Sequence, residues 1–199
     1  MTTSDDGTAR IWDAVNSKEL LKLEGGMSAV SWAVWSKDER KILAVGDSTI
    51  HIWDAITGKD LLKLDGAYSA HWSKDESKIL ALSSNGTVRI MDATTGREMT
   101  KLIVYVGDSY SAYSAEWSKD ESKILTAGDD GIAHIWDAAN GQVLVTFVGN
   151  KFHINAAGWS KDESKILTAS SDGTTRIWEA VSGQELVKLI GHKASVNSA

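Results

Sequence analysis

The sequence holds no cysteine and no proline. Without cysteine there is no disulfide and no thiolate metal site, and the chain fits a reducing compartment, so a cytoplasmic location is expected. The lack of proline is unusual for a chain as rich in turns as this one. No apolar run approaches the ~20 residues of a membrane span. Residues Met1 to Asp6 have neither the basic start nor the apolar centre of a secretory leader, so no leader is expected. Charge of one sign is also scarce. The formal net charge is −6, with acids and bases interleaved, which argues against a nucleic-acid groove and against an anionic membrane surface. At 199 residues the chain is long enough for one domain. A domain of that size buries roughly 70% of its unfolded surface and needs no covalent staple.

What the sequence does have is repetition. Trp-Ser-Lys-Asp-Glu-Ser-Lys-Ile-Leu begins unchanged at Trp72, Trp117 and Trp159, and at Trp35 it returns with Arg40 in place of the second serine. A second phrase, Ile-Trp-Asp-Ala, begins at Ile11, Ile52 and Ile135. It becomes Ile90-Met91-Asp92-Ala93 in the middle and Ile177-Trp178-Glu179-Ala180 near the end. Measured from Trp12 through Trp53, Met91 and Trp136 to Trp178, the steps are 41, 38, 45 and 42 residues. A period of ~40–45 residues with a Trp-Asp signature is that of propeller blades.

Each unit reads as four short strands. In the last one, the first strand runs from Ile154 to Ser160 and Lys-Asp-Glu-Ser makes a polar turn. The second strand is 165–170. Ser171-Asp172-Gly173 then makes a hairpin, since Gly accepts positive φ and Asp bonds its own backbone. The third strand is 174–179, rich in β-branched and aromatic side chains. The fourth, Glu185 to Leu189, carries charges that suit an exposed edge.

The series Gly-His, Trp-Ser-x-Asp, Ser-x-Asp-Gly-Thr and Ile-Trp-Asp resembles the WD40 family along the whole chain, and in particular its bacterial, recently amplified type. The resemblance implies an all-β fold: a β-propeller of four-stranded antiparallel blades, serving as a non-catalytic interaction platform. In that family the His of Gly-His joins a Ser or Thr, the turn Asp and the Trp in a buried hydrogen-bond network. Here Gly-His survives only at Gly191-His192, so only His192, Thr2, Asp6 and Trp12 fill all four roles. Asp47, Asp130 and Asp172 keep the turn position and Asn85 replaces it once. Each missing buried bond is a loss of ~0.5–1.5 kcal/mol.

The chain begins in the second strand of one unit and stops in the first strand of another. Residues 2–8 align with 168–174, and 196–199 align with 154–157. The expected architecture is five blades, four of them continuous (28–65, 66–104, 110–148 and 152–190). The remaining blade is shared by the termini (194–199 with 1–24). Val196–Ala199 is expected to pair with Thr2–Ser4 to complete it. The alternative is an arc whose split-blade ends pair between copies, giving a self-assembling structural or engineered propeller with a larger ring.

The units are so alike that their differences carry information. From the fourth strand to the next Trp-Ser the linker is 12 residues at Leu23–Trp35 and at Phe147–Trp159. It is 8 at Leu64–Trp72 and 15 at Leu102–Trp117. Tyr68 and Tyr113 share the slot four residues before Trp-Ser, Tyr105 and Tyr110 lie in the long linker, and Trp32 in the preceding unit. Such rings give large contact area at low entropic cost. One reading is a partner-binding patch of Trp32, Tyr68, Tyr110 and Tyr113 for a protein or peptide; the other is rings that fill a channel or repair packing. His51 and His134 stand where Arg10, Arg89 and Arg176 stand elsewhere, in units that are not neighbours, so a shared metal site is not expected. Asp5-Asp6-Gly7 and Asp129-Asp130-Gly131 lack the alternating ligands of a calcium loop. No nucleophile elbow, phosphate loop or catalytic carboxylate pair occurs. No catalytic residue, cofactor or metal ligand is assigned.

Overall fold

A computed structural model describes residues 1–83, 85–104 and 112–198. Nineteen strands occur among them, and the third strand of each repeat is rich in β-branched and aromatic side chains. The first sheet holds β1 (Thr2–Thr3), β2 (Thr8–Trp12) and β3 (Glu19–Glu24). The second holds β4 (Trp32–Trp35), β5 (Lys41–Gly46), β6 (Thr49–Asp54) and β7 (Asp60–Asp65). The third holds β8 (Ser69–Trp72), β9 (Lys78–Leu82), β10 (Thr87–Asp92) and β11 (Glu98–Ile103). The fourth holds β12 (Ala112–Trp117), β13 (Lys123–Gly128), β14 (Ile132–Asp137) and β15 (Val143–Val148). The fifth holds β16 (Ile154–Trp159), β17 (Lys165–Ser170), β18 (Thr174–Glu179) and β19 (Glu185–Ile190). Strands follow one another across each sheet in chain order. This is an all-β propeller fold of five antiparallel blades.

The contacts divide the fold into two compact units, Met1–Ser83 with Met91–Glu98 and Ser84–Ile90 with Met99–Ala199. Within each, the apolar clusters are made by consecutive sheets. In the first unit Leu21 and Leu23 of β3 join Trp53 of β6, and Leu62 and Leu64 of β7 join Met91. In the second, Val145 and Phe147 of β15 join Trp178 of β18. The Phe147 and Trp178 rings meet edge to face, centroids 5.9 Å apart. A sheet therefore buries its apolar face on the next sheet, and most of its stabilising area is shared with a neighbour.

The glycines before each incoming strand serve this contact. A Cβ on Gly25 would lie 2.7 Å from the His51 ring, and one on Gly149 would lie 2.9 Å from Trp178. Both glycines let a third-strand ring of the following sheet close against the backbone.

The first sheet holds three strands, β1 to β3, and residues 191–198 form no strand. Instead the tail is held on its own unit: Val196 N–H donates to Ser170 O at 3.1 Å, and Asn155 Nδ2 donates to Val196 O at 2.8 Å. One expectation is corrected, at Asp47. The β5–β6 hairpin is one residue shorter than the others, so Asp47 and Ser48 both take left-handed φ (49° and 60°). The Asp47 carboxylate consequently accepts from Ser28 Oγ at 2.7 Å rather than from its own third strand. Asp6, Asp130 and Asp172 each accept the N–H two residues on.

The third-strand indoles reveal a defect that the repeat itself can repair. Trp136 Nε1 donates to Thr126 Oγ1 at 2.7 Å and Trp178 Nε1 to Thr168 Oγ1 at 3.0 Å. At the matching place in the second sheet stands Ala44, and Trp53 Nε1 is buried with no acceptor. The third sheet has Ala81 at this place and Met91 at that of the tryptophan, which has no donor to satisfy. Ala44→Thr is expected to stabilise the protein by about 1 kcal/mol, a rise of ~2–4 °C in Tm. Ala44→Val, of the same bulk but without the acceptor, is expected to give no gain. Thermal unfolding of the two variants side by side checks this.

Candidate functional site

The Trp-Ser-Lys-Asp-Glu turns are built alike. In the third sheet, Ser73 Oγ donates to Asp75 Oδ1 (2.8 Å), Ser77 N–H and Oγ donate to the same oxygen (3.0 and 2.8 Å), and Lys78 N–H donates to Ser73 Oγ (3.0 Å). Ser118, Asp120 and Ser122 repeat the arrangement. The glutamate in each turn has left-handed φ, between 57° and 60° at Glu39, Glu76, Glu121 and Glu163, an unfavourable state for a non-glycine residue. At Glu76 and Glu163 the side chain reaches the preceding sheet. Glu76 accepts from Lys37 N–H while Lys37 Nζ donates to Lys74 O. Glu163 accepts from Lys119 N–H while Lys119 Nζ donates to Lys161 O. The sequence presents these carboxylates as solvated turn residues; the structure makes these two links between sheets.

Rim aromatics occur in both units. In the first, Trp32 is 39% exposed and its ring lies 6.0 Å from that of His71, at 59°. Tyr68 is half-buried, and its N–H donates to Leu82 O at 2.9 Å. In the second, Tyr113 is the bulged residue where β12 shifts register against β13, which turns its side chain outward. It remains 48% exposed, although it meets the His153 ring edge-on at 6.3 Å. A hydrogen bond to Asp129 pushes the Tyr113 hydroxyl pKa up, and burial adds to it. His153 Nδ1 lies 2.7 Å from Asp129 O. Tyr110 and Tyr105 lie outside the described residues.

The same slot in β16 holds Asn155, which grips Ser195 and Val196. The slot thus touches the segment leading into the following repeat, a structural duty that sequence reasoning did not assign to it. The bulge that re-aims Tyr113 had no sequence signal beyond that shared position.

The histidines at strand three make local contacts. His51 is buried, with Nδ1 2.7 Å from Asp60 Oδ2 and its ring against Trp53. Arg10 and Arg176 make the corresponding bridges to Glu19 and Glu185. In the fourth sheet the acid is replaced by Val143, and His134 Nδ1 lies 3.2 Å from Thr146 Oγ1 instead. Among the described residues no three His, Asp or Glu side chains gather as a metal site, and no helix is long and apolar enough to cross a membrane. Of the expected network, Trp12 Nε1 donates to Thr2 Oγ1 at 2.8 Å, and Asp6 takes Thr8 and Arg10. His192, in the other unit, is exposed.

Five sheets of this kind, repeating Trp-Ser turns and third-strand tryptophans, define a class, the WD-repeat propellers. The family model described as WD domain, G-beta repeat matches residues 17–54, 99–137 and 141–179, more than half of the chain, which therefore belongs to the WD40 family. No curated protein matches the sequence. Among solved structures, the computationally designed Ika8 protein is similar at 24% identity with a TM-score of 0.81, over 98% of this chain and 60% of that one. That likeness is one of fold. The chain spans about 60% of the length of the designed protein. WD40 repeats point to a protein-interaction scaffold, and such propellers are generally non-enzymatic.

The turn carboxylates give a pH prediction. Asp75 and Asp120 are brought down to about 2 by the backbone N–H of Ser77 and Ser122, together with the serine hydroxyls of each turn. A depressed carboxylate stabilises the fold above its unfolded value of 3.8 and loses that contribution as pH falls from 3.8 towards 2. Carboxyl-carbon NMR titration should therefore find both groups ionised at pH 3; midpoints near 3.8 would contradict the turn geometry.

Proposed function

We propose that the protein is a non-enzymatic scaffold that binds a protein or peptide partner on its rim aromatics, Trp32, Tyr68 and Tyr113, with Tyr110 a further member of the patch. The observation that supports this best is Tyr113. Its ring is fixed by Asp129 and His153 yet keeps nearly half its surface open. An aromatic group that is already held loses little entropy when a partner covers it, the property of a binding anchor. The interleaved charge favours a protein partner over nucleic acid or an anionic membrane. Cytoplasmic residence accords with the absence of cysteine. The blades are assigned as 28–65, 66–104, 110–148 and 152–190, with 194–199 and 1–24 as parts of one more. The near-identical repeats accord with the bacterial, recently amplified type.

The test is selection of a random-peptide phage library on the immobilised protein. Enriched peptides should lose at least ~10-fold in affinity for Tyr113→Ala or Trp32→Ala, the share of an interface anchor, while circular dichroism stays unchanged. Peptides that bind both variants as well as the parent would overturn the rim assignment.

A further inference from the structure

Tyr113 belongs to a three-cornered group that the fifth sheet carries in a plainer form. There Asn155 Nδ2 donates to Ser195 Oγ at 2.8 Å, Ser171 Oγ donates to Asn155 Oδ1 at 3.1 Å, and Ser195 Oγ donates to Ser171 Oγ at 3.2 Å. By the repeat, Asn155 corresponds to Tyr113, Ser195 to His153 and Ser171 to Asp129. The same corners meet in the fourth sheet and its successor. The Tyr113 hydroxyl bonds Asp129, its ring meets that of His153, and His153 Nδ1 lies 3.2 Å from Asp129 Oδ1. Three uncharged groups suffice to tie these corners in the fifth sheet. A carboxylate, a phenol and an imidazole are more than that duty needs.

The protons of this group are spent inward. Asp129 O is a carbonyl, which only accepts, and it lies 2.7 Å from His153 Nδ1, so Nδ1 carries the imidazole proton. In the neutral ring Nε2 then holds a bare lone pair. The phenol gives its one proton to Asp129 and keeps its oxygen lone pairs. The Asp129 side chain is 11% exposed and that of His153 is 49% exposed. What remains for a partner is a set of acceptors beside the half-open Tyr113 ring, with a carboxylate charge beneath. Asp130 follows in the same turn, with Ile132 N–H on its Oδ1. Of the cations in the fifth sheet and its lead-in, Arg176 bridges Asp172 and Glu185, and Lys151 is exposed.

One side-chain chemistry answers all of this. Acceptors call for donors, a covered carboxylate calls for a cation, and an open ring calls for a flat face. Lysine supplies the first two. The guanidinium of arginine supplies all three, since its planar fork stacks on a ring while its edge donates hydrogen bonds.

We propose that the partner presents an arginine to this group, its guanidinium flat on the Tyr113 ring and donating to His153 Nε2, with Asp129 as counter-charge. The proposal rests on the rim reading and names the chemistry of the partner there: a basic peptide segment, not an apolar or an acidic one. Trp32 and Tyr68, in the other unit, take no part in it.

Peptides enriched on the immobilised protein should share an arginine. Replacing it by citrulline, which keeps the shape but not the charge, should cost at least ~10-fold in affinity. Asp129→Asn keeps the size of the side chain and an acceptor for Tyr113 and His153, and removes the charge. It should weaken the arginine peptide ~10-fold and leave the citrulline form within ~2-fold, a coupling that a merely structural change would not give. A probe independent of the selection is N-acetyl-arginine amide. Titrated into protein with isotope-labelled aromatic rings, it should shift the NMR signals of Tyr113 and His153, and the citrulline amide should not. Peptides that depend on Tyr113 yet carry no arginine overturn the proposal and leave the rim reading standing. Peptides with lysine in that place that bind as tightly show that charge alone is read, and overturn the stacked arginine. Equal losses of the arginine and citrulline forms on Asp129→Asn, or ring signals that ignore the arginine amide, place the arginine elsewhere and overturn it too. Peptides indifferent to Tyr113→Ala overturn the rim reading itself, and this inference with it.

Discussion

The burial of Trp53 against Leu21 and Leu23, and of Trp178 against Val145 and Phe147, is the contact on which the rest of the structure depends. A single sheet of four short strands cannot bury enough apolar area to offset the entropy of ordering it. Here the deficit is met by the next repeat, whose third-strand ring packs under the outer strand. Gly149 lets the Trp178 ring approach, and Gly25 makes room for His51 on the same strand as Trp53. On the turns, Lys37 with Glu76 ties the second sheet to the third and Lys119 with Glu163 ties the fourth to the fifth, from outside the core.

That dependence explains why the rim can vary. The strands and Trp-Ser turns must repeat because each must fit the next. The lead-in segments need only deliver the chain to its slot, which Tyr113 and Asn155 do with different chemistry. Tyr113 meets His153, and Asn155 holds the backbone of Val196. A position free to change its side chain while its backbone is held is where an interaction scaffold acquires a partner.

Much of the fold was legible in the sequence. The 41-, 38-, 45- and 42-residue steps between Trp12 and Trp178 place the five sheets, and the Asp-Gly turns place the hairpins. What was not legible is non-local or depends on a single residue. Asp47 keeps the letter of the turn motif, yet one missing residue changes what its carboxylate holds. Of the rim residues, the sequence identified the shared slot of Tyr68 and Tyr113. It missed the bulge and the Asp129 bond, which arise within the same sheet, and the contact with His153, which arises from the neighbouring repeat.

The central claim is that the position of Leu23, Phe147 and Leu189 stabilises the protein only where a following sheet covers it. Denaturant unfolding of Leu23→Ala and Leu189→Ala in dilute solution tests this most directly. The account predicts a loss of ~2–5 kcal/mol for Leu23→Ala, the cost of emptying a buried site, and a loss within ~0.5 kcal/mol for Leu189→Ala, the range of a surface change. Equal losses at the two positions would contradict it.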